Sequence, residues 1–303
     1  YIGFLLGPGV GTFAFNAVTV ILPTLRDRFG SDDVSLELVI AGYGIPFAVL
    51  LILGGRLGDR FGRHRLYVMG MGLFLVSAVA CALAPSVAML IVARVVQGVG
   101  AALCTPQVLA SIQATSTGAA RTRAIAAFGA SGGIGAAVGQ VVGGALAAMS
   151  FGVVDGWRAV FVVVALVAAA AIALAPLAPR SRSHEHVAID LVGTAALGIG
   201  ILAASVALTF GPAWGWSWPV YVVLLVAAIA FVAMWRHQDA VERSGRVPLL
   251  PPSVLRLRPL QLGLLSAALF FAGYSALLYV FPRAVEAGGM TSLQAGLALL
   301  PFA

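Results

Sequence analysis

The sequence predicts an all-α polytopic membrane protein, and three observations carry that prediction. Hydrophobic residues make up 61% of the 303 positions and charged residues only 10%, with a mean hydropathy of +1.03. Soluble domains run about 45–50% apolar and about 25% charged, so this chain lacks the polar surface to cover a water-exposed globule. The apolar residues come in repeated runs long enough to cross a bilayer, whose hydrocarbon core of about 30 Å needs about 20 residues of helix. The arginines fall almost wholly in the breaks between those runs.

Taken in order, the runs give nine full spans and the start of a tenth, near 3–24, 38–58, 66–84, 87–113, 122–149, 158–178, 189–210, 218–236, 260–282 and from 291 onward. The chain opens at Tyr1 inside one apolar run and stops at Ala303 inside another, and is expected to be part of a longer protein. With the amino terminus taken as cytoplasmic, thirteen arginines lie in inner loops: Arg56, Arg60, Arg63, Arg65, Arg121, Arg123, Arg180, Arg182, Arg236, Arg243, Arg246, Arg256 and Arg258. Four, Arg26, Arg28, Arg158 and Arg283, lie in outer ones. That positive-inside bias sets the orientation. It also places Trp214, Trp216 and Trp218 in an outer loop, where indoles favour the headgroup level.

Composition excludes several functions. The net charge of +7 sits in short loop clusters of arginine, which loops facing the cytoplasm explain without nucleic acid as a partner. All 18 basic residues are Arg, so this segment has neither a phosphate-loop lysine nor a Schiff-base lysine. Cys81 and Cys104 lie within apolar spans and read as small packing residues. His184, Glu185 and His186 share a cytoplasmic loop, where a solvated cluster is the simpler reading than a metal site. Gly129-Ala130-Ser131-Gly132-Gly133-Ile134-Gly135 imitates a dinucleotide loop, but such a loop follows a strand and this one lies in a long apolar helix. No paired carboxylates, metal cluster or activated nucleophile points to an enzyme, and no cofactor is implied.

Three motifs carry the function. Between the second and third spans stands Gly55-Arg56-Leu57-Gly58-Asp59-Arg60-Phe61-Gly62-Arg63-His64-Arg65. It is a tight turn in which Gly62 supplies backbone freedom, and Asp59 among four arginines makes a polar latch able to open and close. In the fourth span, Arg94 and Gln97 are three apart and share a helical face, with Gly98 beside them. An Arg within a span costs about 2.5–3.5 kcal/mol or more, so it should face a cavity or a partner. In the fifth span, Gly135, Gly139, Gly143 and Gly144 flank Gln140, and a glycine row at four-residue spacing lets helices approach closely.

These motifs resemble, in order and by span, the signatures of the major facilitator superfamily, with His64 standing where Lys or Arg is usual. Asp155-Gly156-Trp157-Arg158 before the sixth span and Gln294-Ala295-Gly296 to Pro301 near the end add to the match. With two extra spans after the sixth, the whole chain is similar to the fourteen-span drug:proton antiporters. The resemblance implies a major facilitator fold, incomplete here. Residues 1–180 would form an amino-terminal six-helix bundle, 181–240 two linker spans, and 241–303 the start of the second bundle. It implies a monomer of the plasma (inner) membrane, embedded in lipid, that exports small hydrophobic or amphipathic compounds, drugs or antibiotics among them, in exchange for protons. On that resemblance the gating turn is Gly55, Asp59, Arg60, Gly62, Arg63 and Arg65. Arg94 and Gln97 would serve the cavity or proton coupling, and Tyr43 would face the cavity. Gly98, Gly135, Gly139, Gln140, Gly143 and Gly144 would serve helix packing.

Two positions depart from that pattern. Ala14 stands where the antiporters carry an acid in the first span, leaving Asn16 and Thr19 as neutral polar groups for substrate and Glu37 as the nearest acid. Gln140 stands where they carry a Pro, which removes a kink from the fifth span. Both departures leave open an uncoupled facilitator or uptake permease, and a membrane sensor or scaffold without turnover is a third reading.

Overall fold

The computed structural model describes residues 2–151, 154–178 and 190–287. Ten α-helices run in the order α1 Ile2–Phe29, α2 Asp33–Phe61, α3 Arg63–Ala82, α4 Val87–Thr115, α5 Gly118–Ala147, α6 Gly156–Leu174, α7 Leu191–Phe210, α8 Trp218–Arg243, α9 Pro252–Leu255 and α10 Arg258–Ala287. The first eight of these are long and apolar enough to cross a membrane, and α10 occupies the ninth predicted span. A two-residue antiparallel ladder pairs Ser150 with Asp155 and Phe151 with Val154 in the loop before α6. The tenth span, the histidine cluster at 184–186 and the Gln294–Pro301 motif lie outside the described residues.

Several helices outrun the apolar spans that predict them. α1 continues through Arg26 to Phe29 and α8 continues past Arg236 to Arg243. Hydropathy measures contact with hydrocarbon, whereas a helix keeps its backbone hydrogen bonds into the headgroups, where basic side chains in the last turn suit the negative end of its dipole. The starts are fixed by side-chain caps: Asp32 accepts from the Ser35 amide, Ser86 from Met89 and Asp190 from Gly193. Pro8, Pro23, Pro46 and Pro106 sit inside helices, as spans surrounded by other helices tolerate.

Helices α1–α6 share one core that includes Phe4, Ile21, Tyr67, Phe74, Leu90, Trp157 and Phe161. The broadest contacts are α2 with α4, α1 with α5 and α3 with α4, while α6 packs on α3 and α1. Glycine sets the closest approach. A Cβ on Gly135 would lie 2.1 Å from the Gly9 carbonyl oxygen, one on Gly139 2.6 Å from that of Phe13, and one on Gly143 2.9 Å from the Ala17 Cα. Backbones that close gain dispersion contacts, the main attraction left between helices in lipid.

α7 and α8 pack on each other, and α7 lies against α2. Leu197, Met234 and Leu249 make a small second core with Ile52 of α2. Asp190 pins this unit: its carboxylate accepts from the Gly193 amide, from His237 Nε2 at 2.9 Å and from Gln238 Nε2 at 2.7 Å. Burial pushes the Asp190 carboxyl up, but those donors outweigh it and hold the group below its usual range. Gln238 passes the chain on by accepting from the Leu250 amide, and Arg56 donates to the carbonyls of Pro248 and Leu249. The segment after α8 is thereby fastened to α2.

Two outcomes follow. Gly135→Leu should cost about 3 kcal/mol or more, as overpacking does, whereas Gly129→Ala, with nothing within 4 Å of its Cβ, should be at least as stable as the wild type. Thermal unfolding of both variants checks this, and equal losses would contradict the close approach. Because Asp190 is held low, its contribution is whole above about pH 4 and is lost as the pH falls through the lowered native value. Asp190→Asn should therefore lower the melting temperature at pH 7 and flatten its dependence on acid.

Candidate functional site

The site is built around Arg94, two turns into α4 and 0% exposed. Its Nε donates to the Val39 carbonyl of α2 at 3.1 Å and its Nη1 to Gln97 Oε1 at 2.6 Å. Its guanidinium lies 4.5 Å from the centroid of the Tyr43 ring, a cation–π contact worth about 2 kcal/mol or more when desolvated. Two donors, Arg94 Nη2 and Gln97 Nε2, are buried with no partner among the described residues. A buried unmet donor costs about 1–3 kcal/mol. α4 reaches α2 this closely because Gly98 lacks a side chain: a Cβ there would lie 2.3 Å from the Tyr43 carbonyl oxygen.

Tyr43 is the hub of the surrounding aromatics. Its hydroxyl donates to the Gly11 carbonyl, and its ring lies 6.0 Å from Phe15 and 6.1 Å, stacked, from Phe47. Beside Phe15 on α1, Asn16 donates to the Thr12 carbonyl and accepts from Gln140 Nε2 of α5 at 3.3 Å. Thr12 in turn donates to the Gly132 carbonyl of α5 at 2.8 Å, and Thr19 donates to the Phe15 carbonyl of its own helix. Gln140 thus links α1 and α5, a role that its position in a packing motif did not reveal. A Cβ on Gly144 would lie 3.4 Å from Val20 Cγ1, so this glycine does not set a close approach.

The second constellation is the turn between α2 and α3. Gly62 has φ 99°, a left-handed conformation that favours glycine, and its amide closes α2 on the Gly58 carbonyl. Arg63 bonds Asp59 Oδ1 at 2.8 Å and also donates to the Ala110 carbonyl of α4. His64 meets the Ala175 carbonyl after α6, and the Arg60 guanidinium lies over Phe61. Gly55, near Pro106, belongs to the last turns of α2 with Arg56, which holds the post-α8 segment rather than the turn. Among the described residues the Arg65 side chain makes no hydrogen bond or ion pair, and the turn's arginines do different jobs. Sequence reasoning missed Gln107, whose buried amide donates to the Gly54 carbonyl and whose Oε1 sits where a Gly58 Cβ would go. An amide in an apolar span was the available signal.

Glu37 is exposed near the start of α2, less than a turn from Val39, and pairs with no arginine among the described residues. At the same end of the bundle Arg28 and Arg158 flank Asp155, and the Arg28 hydrogen bond, outweighing a small burial penalty, holds that carboxyl below its ordinary range. Arg158 also donates to the carbonyls of Ala82 and Ala84 that end α3. Among the described residues no group of three potential metal ligands comes together.

The Major Facilitator Superfamily profile matches residues 4–193. The chain is 34% identical over 97% of its length to the uncharacterized MFS-type transporter EfpA of Mycobacterium tuberculosis, covering 54% of that protein. It is 32% identical over 99% of its length to the methylenomycin A resistance protein of Bacillus subtilis, covering 62% of it. The chain therefore spans little more than half the length of these relatives. Among solved structures, the proton:xylose symporter XylE superimposes with a TM-score of 0.60 at 17% identity, over 99% of this chain and 66% of that one, a likeness of fold. With the helix order, the turn after α2 and the buried arginine of α4 in place, the chain belongs to the major facilitator superfamily.

Proposed function

We propose that the full-length protein is a secondary transporter of the plasma membrane, amino terminus cytoplasmic, that exports a small hydrophobic or amphipathic compound in exchange for protons. Arg94 is the observation that carries this reading. A buried guanidinium with an unmet donor, held against a tyrosine and a glutamine, is an expensive feature in a span and is retained for work. The relatives named for drug and antibiotic resistance support export, and neighbours that are proton symporters support coupling. On this reading residues 1–180 are one six-helix half, 181–240 an inserted pair of spans and 241–303 the start of the other half. The protein works as a monomer by alternating access, in which the substrate must bind the two facing states differently.

The Asp59–Arg63 pair then acts as the cytoplasmic latch. It ties the end of α2 to α4 through Ala110, a contact that breaks if the two helices separate. The proton carrier is Glu37 or an acid in the second half. One observation favours uncoupled facilitation instead: every acid of α1–α6 lies near a helix end, at Asp27, Asp33, Glu37 and Asp59, and none in a helix interior.

The test is efflux from proteoliposomes of full-length protein, with and without an imposed proton gradient, for a panel of lipophilic cations and uncharged antibiotics. Flux that follows the gradient supports exchange; flux indifferent to it supports the facilitator; no flux of any substrate rejects transport. Arg94→Ala should lower flux by about 100-fold or more, near 2.7 kcal/mol, with insertion unchanged. Asp59→Asn should slow turnover by about 10-fold while the half-saturating concentration moves less than about threefold. Weakened binding with unchanged turnover would contradict the latch.

A further inference from the structure

Between α8 and α10 runs a segment, residues 244–256, that is tied down at several points. Gly245, with φ 73°, turns the chain back after α8, and the Arg246 amide closes that helix on the Val241 carbonyl. Arg56, half-buried near the end of α2, donates from Nη2 to the carbonyls of Pro248 and Leu249. The Leu250 amide donates to Gln238 Oε1 of α8, whose Nε2 donates in turn to Asp190 at the start of α7. Ser253 donates from its amide and its hydroxyl to the Glu242 carboxylate. Arg256 reaches Asp239 and lies over the Trp235 ring.

Packing reinforces the polar ties. Leu249 is buried with Leu197 and Met234, and Ile52 of α2 packs on them, so the segment carries part of the core shared by α2, α7 and α8. The helices meet without slack. A Cβ on Gly193 would lie 2.2 Å from Gln238 Nε2, one on Gly200 2.8 Å from Phe231 Cε1, and one on Gly198 2.9 Å from Val49 Cγ1 of α2. Surfaces packed this closely have two choices, to stay together or to part, and do not slide. Past Arg256, among the described residues, the hydrogen bonds run along the backbone, from Leu257 to Val254 and from Gln261 to Leu257. α10 begins there, at Arg258.

We infer that residues 244–256 are a strap anchored by Arg56, which makes the α7–α8 pair one body with the amino-terminal bundle. Reorientation of the second half is then taken up at Leu257 and Arg258. The inference rests on the transport reading above and states which half the inserted helices accompany. Bending at 257–258 breaks backbone bonds that water replaces, whereas bending between Pro248 and Leu250 would bare Leu249 and strip Arg56 and Gln238 of their partners. Arg56 is a positioning residue on this account, acting through the strap and not on the substrate.

Hydrogen exchange and cross-linking of the full-length protein in lipid test it. In Arg56→Ala the Leu250 amide, which Arg56 does not touch, should exchange about tenfold faster or more, while the amides within α3 keep their wild-type rates. Val49 and Gly198 adjoin, so Val49→Cys/Gly198→Cys should oxidise to a disulfide between α2 and α7. The oxidised protein should keep about half or more of the reduced protein's flux, because a bond within one body obstructs nothing. A Leu250 amide that exchanges at the wild-type rate in Arg56→Ala overturns the anchor. Failure of the disulfide to form, or flux that falls below half on oxidation and returns on reduction, overturns the single body. Absence of flux from the reduced protein rejects the transporter instead, and the exchange rates then decide the strap by themselves.

Discussion

A single buried cation organises the amino-terminal bundle. Taking the Arg94 guanidinium out of water is tolerable only because α2 and α4 come close enough to surround it with the Val39 carbonyl, the Tyr43 ring and the Gln97 amide. That approach requires glycine at position 98, and it fixes Tyr43, whose hydroxyl reaches across to Gly11 and so ties α1 into the same arrangement. The glycine row of α5 then docks on the other side of α1. Moving any of these helices by an ångström would expose the charge or leave it less well paired. The centre of the bundle is consequently densely tied together.

The ends of the helices are held differently. The turn at Gly62, the Asp59–Arg63 pair and the Arg56 contact to the post-α8 segment are partly exposed polar contacts, each modest in energy. Such contacts are cheap to break and specific enough to re-form, which suits a latch better than an apolar seam. The α7–α8 pair is attached by the same means, with Asp190 collecting the Gly193, His237 and Gln238 donors and Gln238 handing on to Leu250. These inserted helices thereby stay with α2 through a short polar chain and a small core.

What could be read from the sequence was whatever depends on neighbours along one helix. The Arg94–Gln97 bond follows from a spacing of three and the tight packing of α5 from glycines at intervals of four, while the Asp59–Arg63 pair follows from an acid set among arginines in a tight turn. What could not be read depends on which helix lies beside which. Nothing local to Tyr43 announces that it covers Arg94, and nothing near Gln140 points to Asn16, 124 residues earlier. Gln107 reaching Gly54 and Arg56 holding Pro248 are likewise tertiary facts. Helix ends beyond Arg26 and Arg236 escaped the hydropathy ruler because that ruler ends where lipid does.

The claim on which these readings converge is that the α1 face beside Asn16 borders water, whereas other exposed apolar residues of the bundle border lipid. Cysteine labelling in membranes tests it directly, since the native Cys81 and Cys104 are buried. Phe15→Cys and Thr19→Cys should react with a membrane-impermeant maleimide, while Val76→Cys, 66% exposed on the apolar surface of α3, should react only with a lipid-soluble one. If Phe15→Cys and Thr19→Cys instead behave like Val76→Cys, the face lies against lipid. The reading of Asn16 and Thr19 as groups that meet substrate would then be wrong.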